Sequence, residues 1–287
     1  MYKILEKELW GDGLNTVKPA IKNIYYKGNL DLVISKSPKL AIVGTRRITE
    51  YGGRVIEKWM SKFIDEGIII VSGFMYGVDQ KAHGECLRNG GKTIAVLGWG
   101  IDWKVSDSDS EMYEKILEKD GLILSEYEGG SIPELWKFPQ RNRIVVGLVD
   151  AVLVIEGAEK SGSMITAKLT KNFDKLLMAV PGPITSRVAE GTNNLIKIGQ
   201  AKMVTSAEDV LREMGLGAGQ MSLGFRSLIV DGRSSADPVL EILMNEPKSV
   251  DELARILHLP INEVLVKVTN LSLRGLVSES SGKYWKV

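Results

Sequence analysis

Short runs of apolar residues recur along the chain from Leu40 onward, each followed by a turn and then by an amphipathic stretch. Continuous Val/Ile/Leu runs are typical of strands buried on both faces of a parallel sheet. The intervening stretches, such as 54–66 and 166–173, have helical spacing. This alternation predicts βαβ units and a doubly wound, mostly parallel α/β sheet of the Rossmann-like kind. The predicted strands are Leu40–Val43, Ile68–Val71, Thr93–Leu97, Leu122–Leu124, Ala151–Ile155 and Leu176–Val180.

The pattern changes near the C-terminus. Residues 215–235 are rich in Gly and Ser and are interpreted as a linker. The remaining residues predict three helices followed by a β-hairpin, which is the pattern of a winged-helix domain. The predicted elements are a helix at Asp237–Met244, a helix capped by Ser249, a helix from Pro260 to Leu273, and a hairpin of Gly275–Glu279 and Lys283–Val287.

These boundaries predict a small C-terminal domain beside a larger one. We expect a short N-terminal extension at 1–38, a Rossmann-like domain at 39–214, a linker at 215–235 and a winged-helix domain at 236–287.

Charge limits the classes of partner. The 287 residues contain 37 Lys and Arg against 36 Asp and Glu, a net charge of +1, so nucleic acid can be bound only by a local basic patch. Residues 236–287 hold six Lys/Arg and seven Asp/Glu. That balance argues against a winged-helix regulator of duplex DNA, because duplex binders carry a basic face.

Few residues are suited to metal or redox chemistry. Cys86 is the only cysteine, and the two histidines, His83 and His258, are far apart, so we expect no disulfide and no metal site. The sequence shows no secretory signal pattern and no apolar stretch of about 20 residues. We therefore expect a cytoplasmic protein that does not enter membranes.

The first segment with candidate chemistry is VGTRRITEYGG, directly after the first predicted sheet strand. Ligands of doubly wound folds bind beyond the carboxyl ends of strands. Gly44 permits a tight turn there, and Arg46 or Arg47 can contact a phosphate through two hydrogen bonds. The alternative is a plain strand-to-helix turn with solvated arginines. The spacing is not GxGxxG, which disfavours a dinucleotide site.

The second segment, KFPQRNRIVVGLVD, combines cations with an aromatic ring. Lys137, Arg141 and Arg143 lie close together beside Phe138 and Asn142. Cations that meet phosphates next to a ring that stacks on a base are typical of single-stranded nucleic acid binding. The alternative is a helix start with exposed charges and a Phe-Pro hydrophobic contact.

The third segment, EGAEKSGSMITA, follows a later strand. Ser161, Gly162 and Ser163, followed by Thr166, stand where a helix is predicted to begin, and their amides and hydroxyls can hold a phosphate. No GK[ST] follows, so ATP hydrolysis is not indicated. The alternative is a capped helix start.

A general base is a weaker candidate. His83 follows Asp79 by one helical turn, which permits a base with an orienting carboxylate. Such a pair more often ties a helix to its neighbour.

Together these segments resemble the DNA-processing protein A family (DprA, also called Smf). The resemblance covers roughly Tyr26–Leu211, in the family's order, and FPxRNRI with SGSxxTA is specific in combination. The tail resembles the winged-helix appendage of many members. The quoted pieces are AIVGTRRITEYGG, IIIVSGFMYGVDQKAHGECLRNGGKTIAVLGWGID, SEYEGGSIPELWKFPQRNRIVVGLVDAVLVIEGAEKSGSMITA and AVPGPITSRVAEGTNNLIKIGQA.

The resemblance implies a homodimeric protein that binds single-stranded DNA and loads the RecA recombinase, as in natural transformation, without an established enzymatic activity or cofactor. The residues carried over as DNA- or phosphate-binding are Gly44, Thr45 and Arg46 in the first segment, Lys137, Phe138, Arg141, Asn142 and Arg143 in the second, and Ser161, Gly162, Ser163 and Thr166 in the third.

One stretch departs from the family. Many members place Tyr-Pro after the GxGxD turn, whereas here Asp102 is followed by WKVSDSDSEMY. We interpret this as an acidic, Ser-rich loop, and it puts in doubt any contact made there.

The runner-up function is enzymatic. The same architecture resembles phosphoribohydrolase-type nucleotide enzymes, in which a Gly-rich loop holds a phosphate and a carboxylate acts on the sugar. Glu126 or Glu156 would then be the carboxylate, but EKSGSMIT takes the place of the PGGxGT loop.

Overall fold

The computed structural model describes residues 2–104, 106–216, 238–243, 246–257, 259–273, 276–280 and 282–286. Those up to residue 216 belong to one unit and those from 238 onward to a second. The linker predicted at 215–235 lies almost wholly outside the described residues.

A single sheet organises the first unit. Its strands are β1 (Lys3–Ile4), β2 (Tyr25–Gly28), β3 (Lys39–Val43), β4 (Ile69–Ser72), β5 (Thr93–Leu97), β6 (Leu122–Ser125), β7 (Ala151–Val154), β8 (Leu176–Ala179) and β9 (Lys202–Met203). The six predicted strands are β3 to β8, and every end agrees to within one residue.

Helices alternate with these strands. They are α1 (Gly11–Asn15), α2 (Asp31–Ile34), α3 (Glu50–Asp65), α4 (Val78–Arg88), α5 (Asp107–Glu118), α6 (Lys137–Leu148), α7 (Gly162–Asn172), α8 (Glu190–Lys197) and α9 (Ala207–Glu213). The predicted α/β class is confirmed.

The strand order is β1-β2-β6-β5-β4-β3-β7-β8-β9. Strands from β6 to β9 in this order are parallel, whereas β2 pairs antiparallel with β6 and β1 with β2. The chain moves outward from β3 to β6 and then returns to the other side of β3 with β7. The carboxyl ends of β3 and β7 therefore form the topological switch point, where open α/β sheets bind ligands.

Strand β3 shows why the buried strands read as continuous apolar runs. Ala41 and Val43 belong to the core on one face of the sheet, and Leu40 and Ile42 to the core on the other. Successive side chains of a strand point to opposite faces, so a strand covered by helices on both faces needs an apolar residue at every position.

The structure does not set residues 1–38 apart from the sheet. Trp10, Leu14 and Ile24 are buried in the same core as the central strands. Helix α1 approaches α6 so closely that a Cβ at Gly13 would lie 2.0 Å from the carbonyl oxygen of Gly147. The N-terminal residues are therefore part of the packing that supports α6.

The interpretation of the acidic, Ser-rich stretch after Asp102 as a loop is wrong. Most of it forms α5, which begins after Ser106, whose side chain accepts a hydrogen bond from the Asp109 amide. Asp107 and Asp109 lie in the first turn, where carboxylates are stabilised by the helix dipole. The same acidic residues that suggested a loop thus favour a helix start.

The described residues of the second unit form three helices and a hairpin, as predicted for a winged helix. They are α10 (Pro238–Leu243), α11 (Val250–Leu257), α12 (Ile261–Leu273), β10 (Val277–Ser280) and β11 (Lys283–Lys286). The Ser249 amide donates to Glu252 Oε2 (2.7 Å), and the Glu252 amide donates to Ser249 Oγ (3.2 Å), which forms the capping box that starts α11. Asp237, Met244, Gly275 and Val287, at the predicted boundaries, lie outside the described residues.

Candidate nucleic-acid interface

A cleft of about 540 Å³ opens at the switch point. The loop after β3, the end of β4, the first half of α6 and the start of α7 surround it. The structure therefore brings the three candidate segments together, although the first ends at Gly53 and the second begins only at Lys137. The predicted site residues that line the cleft are Gly44, Thr45, Arg46, Phe138, Arg141, Asn142, Ser161, Gly162, Ser163 and Thr166. Lys137 and Arg143 are not among the lining residues.

The loop after β3 is held by its backbone. The Thr45 amide donates to the Glu156 carbonyl (2.7 Å), and the Thr45 carbonyl accepts from the Val78 amide (3.1 Å). A Cβ at Gly44 would lie 2.6 Å from Val78 Cγ2 and 2.8 Å from the Glu156 carbonyl oxygen. Only glycine fits this close approach, so the loop is fixed before any ligand arrives.

The Glu156 side chain braces the same loop from β7. Glu156 is buried, and its carboxylate accepts hydrogen bonds from the Thr49 amide and hydroxyl at the start of α3. This carboxylate therefore joins the β3 and β7 connections.

Two arginines reach the cleft from this loop. Arg46 and Arg47 are exposed, and the Arg46 guanidinium carbon lies 5.3 Å from the centroid of the Phe138 ring. Neither is in an ion pair with any residue that the structure describes. These guanidinium groups are available to phosphate oxygens, and the cation–π contact directs Arg46 toward Phe138.

Arg141 lines the cleft but is almost wholly buried. Its Nη1 donates to the carbonyl oxygens of Gly73 and Val96, and its Nε donates to Asn142 Oδ1 (3.0 Å). Burial lowers the Arg141 pKa to about 10, which leaves it charged at neutral pH. Arg141 thus joins α6 to the ends of β4 and β5 and supplies positive potential at the cleft floor.

Arg143 is buried behind the cleft. It forms a bidentate ion pair with Glu126, with Nη1 to Oε1 at 2.8 Å and Nη2 to Oε2 at 2.7 Å. Its Nε donates to the Pro19 carbonyl (2.9 Å). Only 2% of the Arg143 side chain is exposed, so its guanidinium is engaged with the protein.

Lys137 is buried in the same way. Its ammonium donates to Ser131 Oγ (2.9 Å) and the Ile132 carbonyl (2.7 Å) and pairs with Glu134 at 2.8 Å. The sequence groups Lys137, Arg141 and Arg143 as phosphate ligands. In the structure, all three form hydrogen bonds or ion pairs within the protein that hold the segment carrying Phe138.

The start of α7 is open. The side chain of its N-cap residue, Ser161, caps no amide, and Ser161 Oγ lies 2.7 Å from Ser163 Oγ instead. By contrast, the side chain of Thr49 caps α3 by accepting from the Gly52 amide. A helix start without a side-chain cap leaves amides for an anion, so the alternative of an ordinary capped start does not hold for α7.

The Asp79–His83 pair does not form a base with an orienting carboxylate. Thr93 Oγ1 donates its hydroxyl proton to the Ile70 carbonyl (2.9 Å). His83 Nδ1 lies 2.7 Å from Thr93 Oγ1, so Nδ1 must carry a proton and donate it to this hydroxyl oxygen. Burial lowers the His83 pKa to about 3 and raises that of Asp79 to about 6. His83 ties α4 to β5, whereas Asp79 lines the cleft near Arg141.

Sequence reasoning missed two exposed apolar residues at the cleft. Leu135 is 84% exposed and Ile165 is 43% exposed, and both line the opening. Their positions, immediately before α6 and within the first turn of α7, are the only signal that the sequence offers for them. Exposed aliphatic side chains at a cleft rim can contact the apolar faces of a ligand.

Comparison with known proteins agrees with this architecture. The sequence profile of the family described as DNA recombination-mediator protein A matches residues 2–215, and that of the DprA winged helix domain matches residues 231–283. Protein Smf of Synechocystis is 34% identical over 90% of this chain and 73% of its own length. DNA processing protein DprA of Streptococcus pneumoniae is 42% identical over 66% of each chain.

Two solved structures share the fold. The X-ray structure of DprA from Streptococcus pneumoniae has a TM-score of 0.68 at 38% identity and covers 74% of each chain. DNA processing protein A from Helicobacter pylori, studied for its single-stranded DNA binding mode, has a TM-score of 0.66 at 31% identity. That match covers 73% of this chain and 94% of the other. Among the described residues, no helix is long and apolar enough to cross a membrane.

Proposed function

We propose, because this chain belongs to the DNA recombination-mediator protein A (DprA/Smf) family, that it binds single-stranded DNA in the switch-point cleft. The observation that carries this proposal is the meeting of three features in one cleft: an exposed arginine above an aromatic ring, a rigid glycine loop, and an uncapped helix start.

The aromatic ring favours a single strand over a duplex. A ring can stack on a base only where the face of that base is free, and bases in a duplex are stacked on each other. Phe138 is half-buried, with Arg46 against its ring. A strand whose phosphates meet Arg46 therefore brings a base within reach of Phe138.

The cations of the site divide into two groups by exposure. The exposed Arg46 contacts phosphates together with the amides at the start of α7, whereas the buried cations hold α6 in position. Arg141 adds charge from the cleft floor, and Arg143 and Lys137 act only through the position of Phe138. Direct phosphate contacts by Lys137 and Arg143 would require their internal hydrogen bonds to break.

The runner-up, a phosphoribohydrolase-like enzyme, needs a carboxylate facing the ligand. Glu126 is paired with Arg143 and Glu156 with Thr49, and neither side chain lines the cleft. Asp79 does line it but lies at its buried floor. The described site is thus better suited to binding than to hydrolysis.

The same proposal extends to the partners of the chain. We propose a homodimeric, cytoplasmic recombination mediator that protects single-stranded DNA and loads RecA, as in natural transformation. The family description as a recombination mediator supports this. The test is RecA-driven strand exchange on single strands precoated with single-strand binding protein. Addition of the chain should speed exchange, and an unchanged rate would refute RecA loading.

The DNA site is tested by Arg46→Ala, with Lys171→Ala as the matched control at the far end of α7. The slope of log affinity against log salt is negative, and loss of one phosphate contact should reduce its magnitude by about 0.7 for single strands. The affinity for single strands of any base sequence should fall by about the same factor, because phosphate contacts carry no sequence information. Equal behaviour of the Arg46 and Lys171 variants in an anisotropy titration would exclude this site.

A further inference from the structure

A second cavity of about 230 Å³ lies beside the cleft and is lined largely by aromatic residues. Met75 and Phe138 line both spaces, so the cavity continues directly from the cleft. Its volume is below the roughly 300–1,000 Å³ of sites for drug-sized ligands, which suits a single heterocycle. The aromatic residues that line it are Phe74, Tyr76, Trp99, Trp103 and Phe138.

The rings are arranged edge to face. The Trp99 centroid lies 6.2 Å from that of Phe74 at an interplanar angle of 67°, and 6.1 Å from that of Phe138 at 68°. Trp99 is buried, whereas Trp103 is partly exposed at the cavity. The buried rings therefore fix the wall, and Trp103 has a surface that an incoming ring can contact.

The polar groups of the cavity are mostly engaged with one another. Asp109 accepts from Tyr76 Oη (3.2 Å), Gln80 Nε2 (2.6 Å) and Ser106 Oγ (2.9 Å). The Trp99 indole N–H is buried without a hydrogen-bond partner in the part of the chain that the structure describes. The surface that Trp99 presents to the cavity is therefore its carbon ring rather than this N–H.

We propose that this cavity, the Trp103 pocket, receives one nucleobase of the strand whose phosphates occupy the switch-point cleft. The inference rests on the proposed function, and it names Trp103 and Trp99 as further binding residues for the same ligand. The Asp109 carboxylate already accepts hydrogen bonds from its neighbours in the protein. Stacking on the rings therefore contributes more to the binding of a base than hydrogen bonds to the edge of that base. The pocket therefore tolerates all four bases.

The test compares two ligands that differ only in their bases. The full chain and its Trp103→Leu and Trp103→Phe variants are titrated with a short single-stranded oligonucleotide and with a fully abasic strand of equal length. Leucine keeps an apolar side chain but removes the ring face, and phenylalanine restores a ring. Thermal unfolding of each variant accompanies the titrations.

The proposal predicts that Trp103→Leu weakens binding of the base-bearing strand about 5- to 100-fold, in line with the loss of one stacked base. Binding of the abasic strand should change less than about twofold, and Trp103→Phe should recover most of the loss. Equal loss with both ligands, or no loss with either, overturns the pocket. Arg46→Ala should weaken the binding of both strands. If Arg46→Ala did not change the affinity for the abasic strand, the phosphate site would fail, and this result is distinct from failure of the pocket.

Discussion

At the scale of single residues, burial decides what each cation does. Arg143 and Glu126 are 2% and 8% exposed and form a bidentate pair, whereas Arg46 is exposed above Phe138. A buried, fully hydrogen-bonded guanidinium stabilises its surroundings only while its partner is present. Arg143 therefore holds the fold, and Arg46 is available to the ligand that we propose.

This difference predicts distinct outcomes for the two arginines. Arg143→Ala should lower the free energy of unfolding by about 3–5 kcal/mol, because it leaves Glu126 buried without a partner. Arg46→Ala should leave stability within about 0.5 kcal/mol, as for an ordinary surface substitution. Urea unfolding measures both. The double variant Glu126→Ala with Arg143→Ala should lose less free energy of unfolding than the sum of the losses in the two single variants. Losses that simply add would contradict a direct ion pair between the two side chains.

His83 predicts a dependence of stability on pH. Its pKa is about 3 in the folded protein against an ordinary 6.5, so the unfolded chain binds more protons between these values and stability falls as pH falls. Asp79, with its pKa raised from 3.8 to about 6, acts in the opposite direction between those values.

Comparison with His83→Gln isolates the histidine, since Asp79 is present in both proteins. From pH 7.5 to 5, the unmodified protein should lose on the order of 2 kcal/mol more than the variant, at about 1.4 kcal/mol per pH unit below 6.5. Denaturant titrations at several pH values provide the measurement. Parallel pH profiles would show that His83 is not held neutral.

Residue roles of this kind could be predicted only in part. The sequence identified the residue types of the cleft, including Gly44, Arg46 and Phe138, because their chemistry and their places at strand and helix ends are local properties. It did not separate Arg143 from Arg46, because the burial of Arg143 depends on Glu126 and Pro19, which are distant in sequence.

At the scale of elements, two helix starts beside the cleft are built differently. Thr49 caps α3 and is braced by Glu156, whereas Ser161 leaves the start of α7 uncapped. The capped start of α3 stabilises the helix, whereas the uncapped start of α7 leaves backbone amides that can bind an anion.

This contrast predicts opposite effects of two similar substitutions. Thr49→Ala should destabilise the protein by about 0.5–2 kcal/mol, the usual cost of removing a cap. Ser161→Ala should leave stability nearly unchanged, because no amide loses a partner. Thermal unfolding of the two variants, with Lys171→Ala as a surface control, makes the comparison. A larger loss for Ser161→Ala would mean that α7 is capped like α3.

Element prediction succeeded where the physics is local. The central strands are apolar at every position because both faces of the sheet are covered, which the sequence records directly. Strand β2 was missed because it pairs through its backbone near one edge of the sheet, and the lysine and glycine in its short run, Tyr25–Gly28, interrupt the apolar pattern. Helix α5 was missed because its acidic start looked like a solvated loop.

At the scale of the whole molecule, the proposed DNA site and the winged-helix unit occupy separate parts of the sequence. Every residue that lines the cleft or the Trp103 pocket lies between Val43 and Thr166. We therefore expect a chain that ends before residue 236 to retain salt-sensitive binding of single strands, with an affinity within about threefold of the full chain. Filter binding of both chains measures this. Complete loss of binding by the shortened chain would place essential contacts in the second unit.

The near-neutral net charge fits a local grip on one strand better than a general attraction to duplex DNA. The most direct measurement is the affinity of the full chain for a single strand and for its duplex over a range of salt concentrations. We predict tighter binding of the single strand at every salt concentration, with log affinity falling linearly against log salt. Equal affinity for both forms, or binding that does not respond to salt, would contradict a cleft that holds phosphates and stacks a free base.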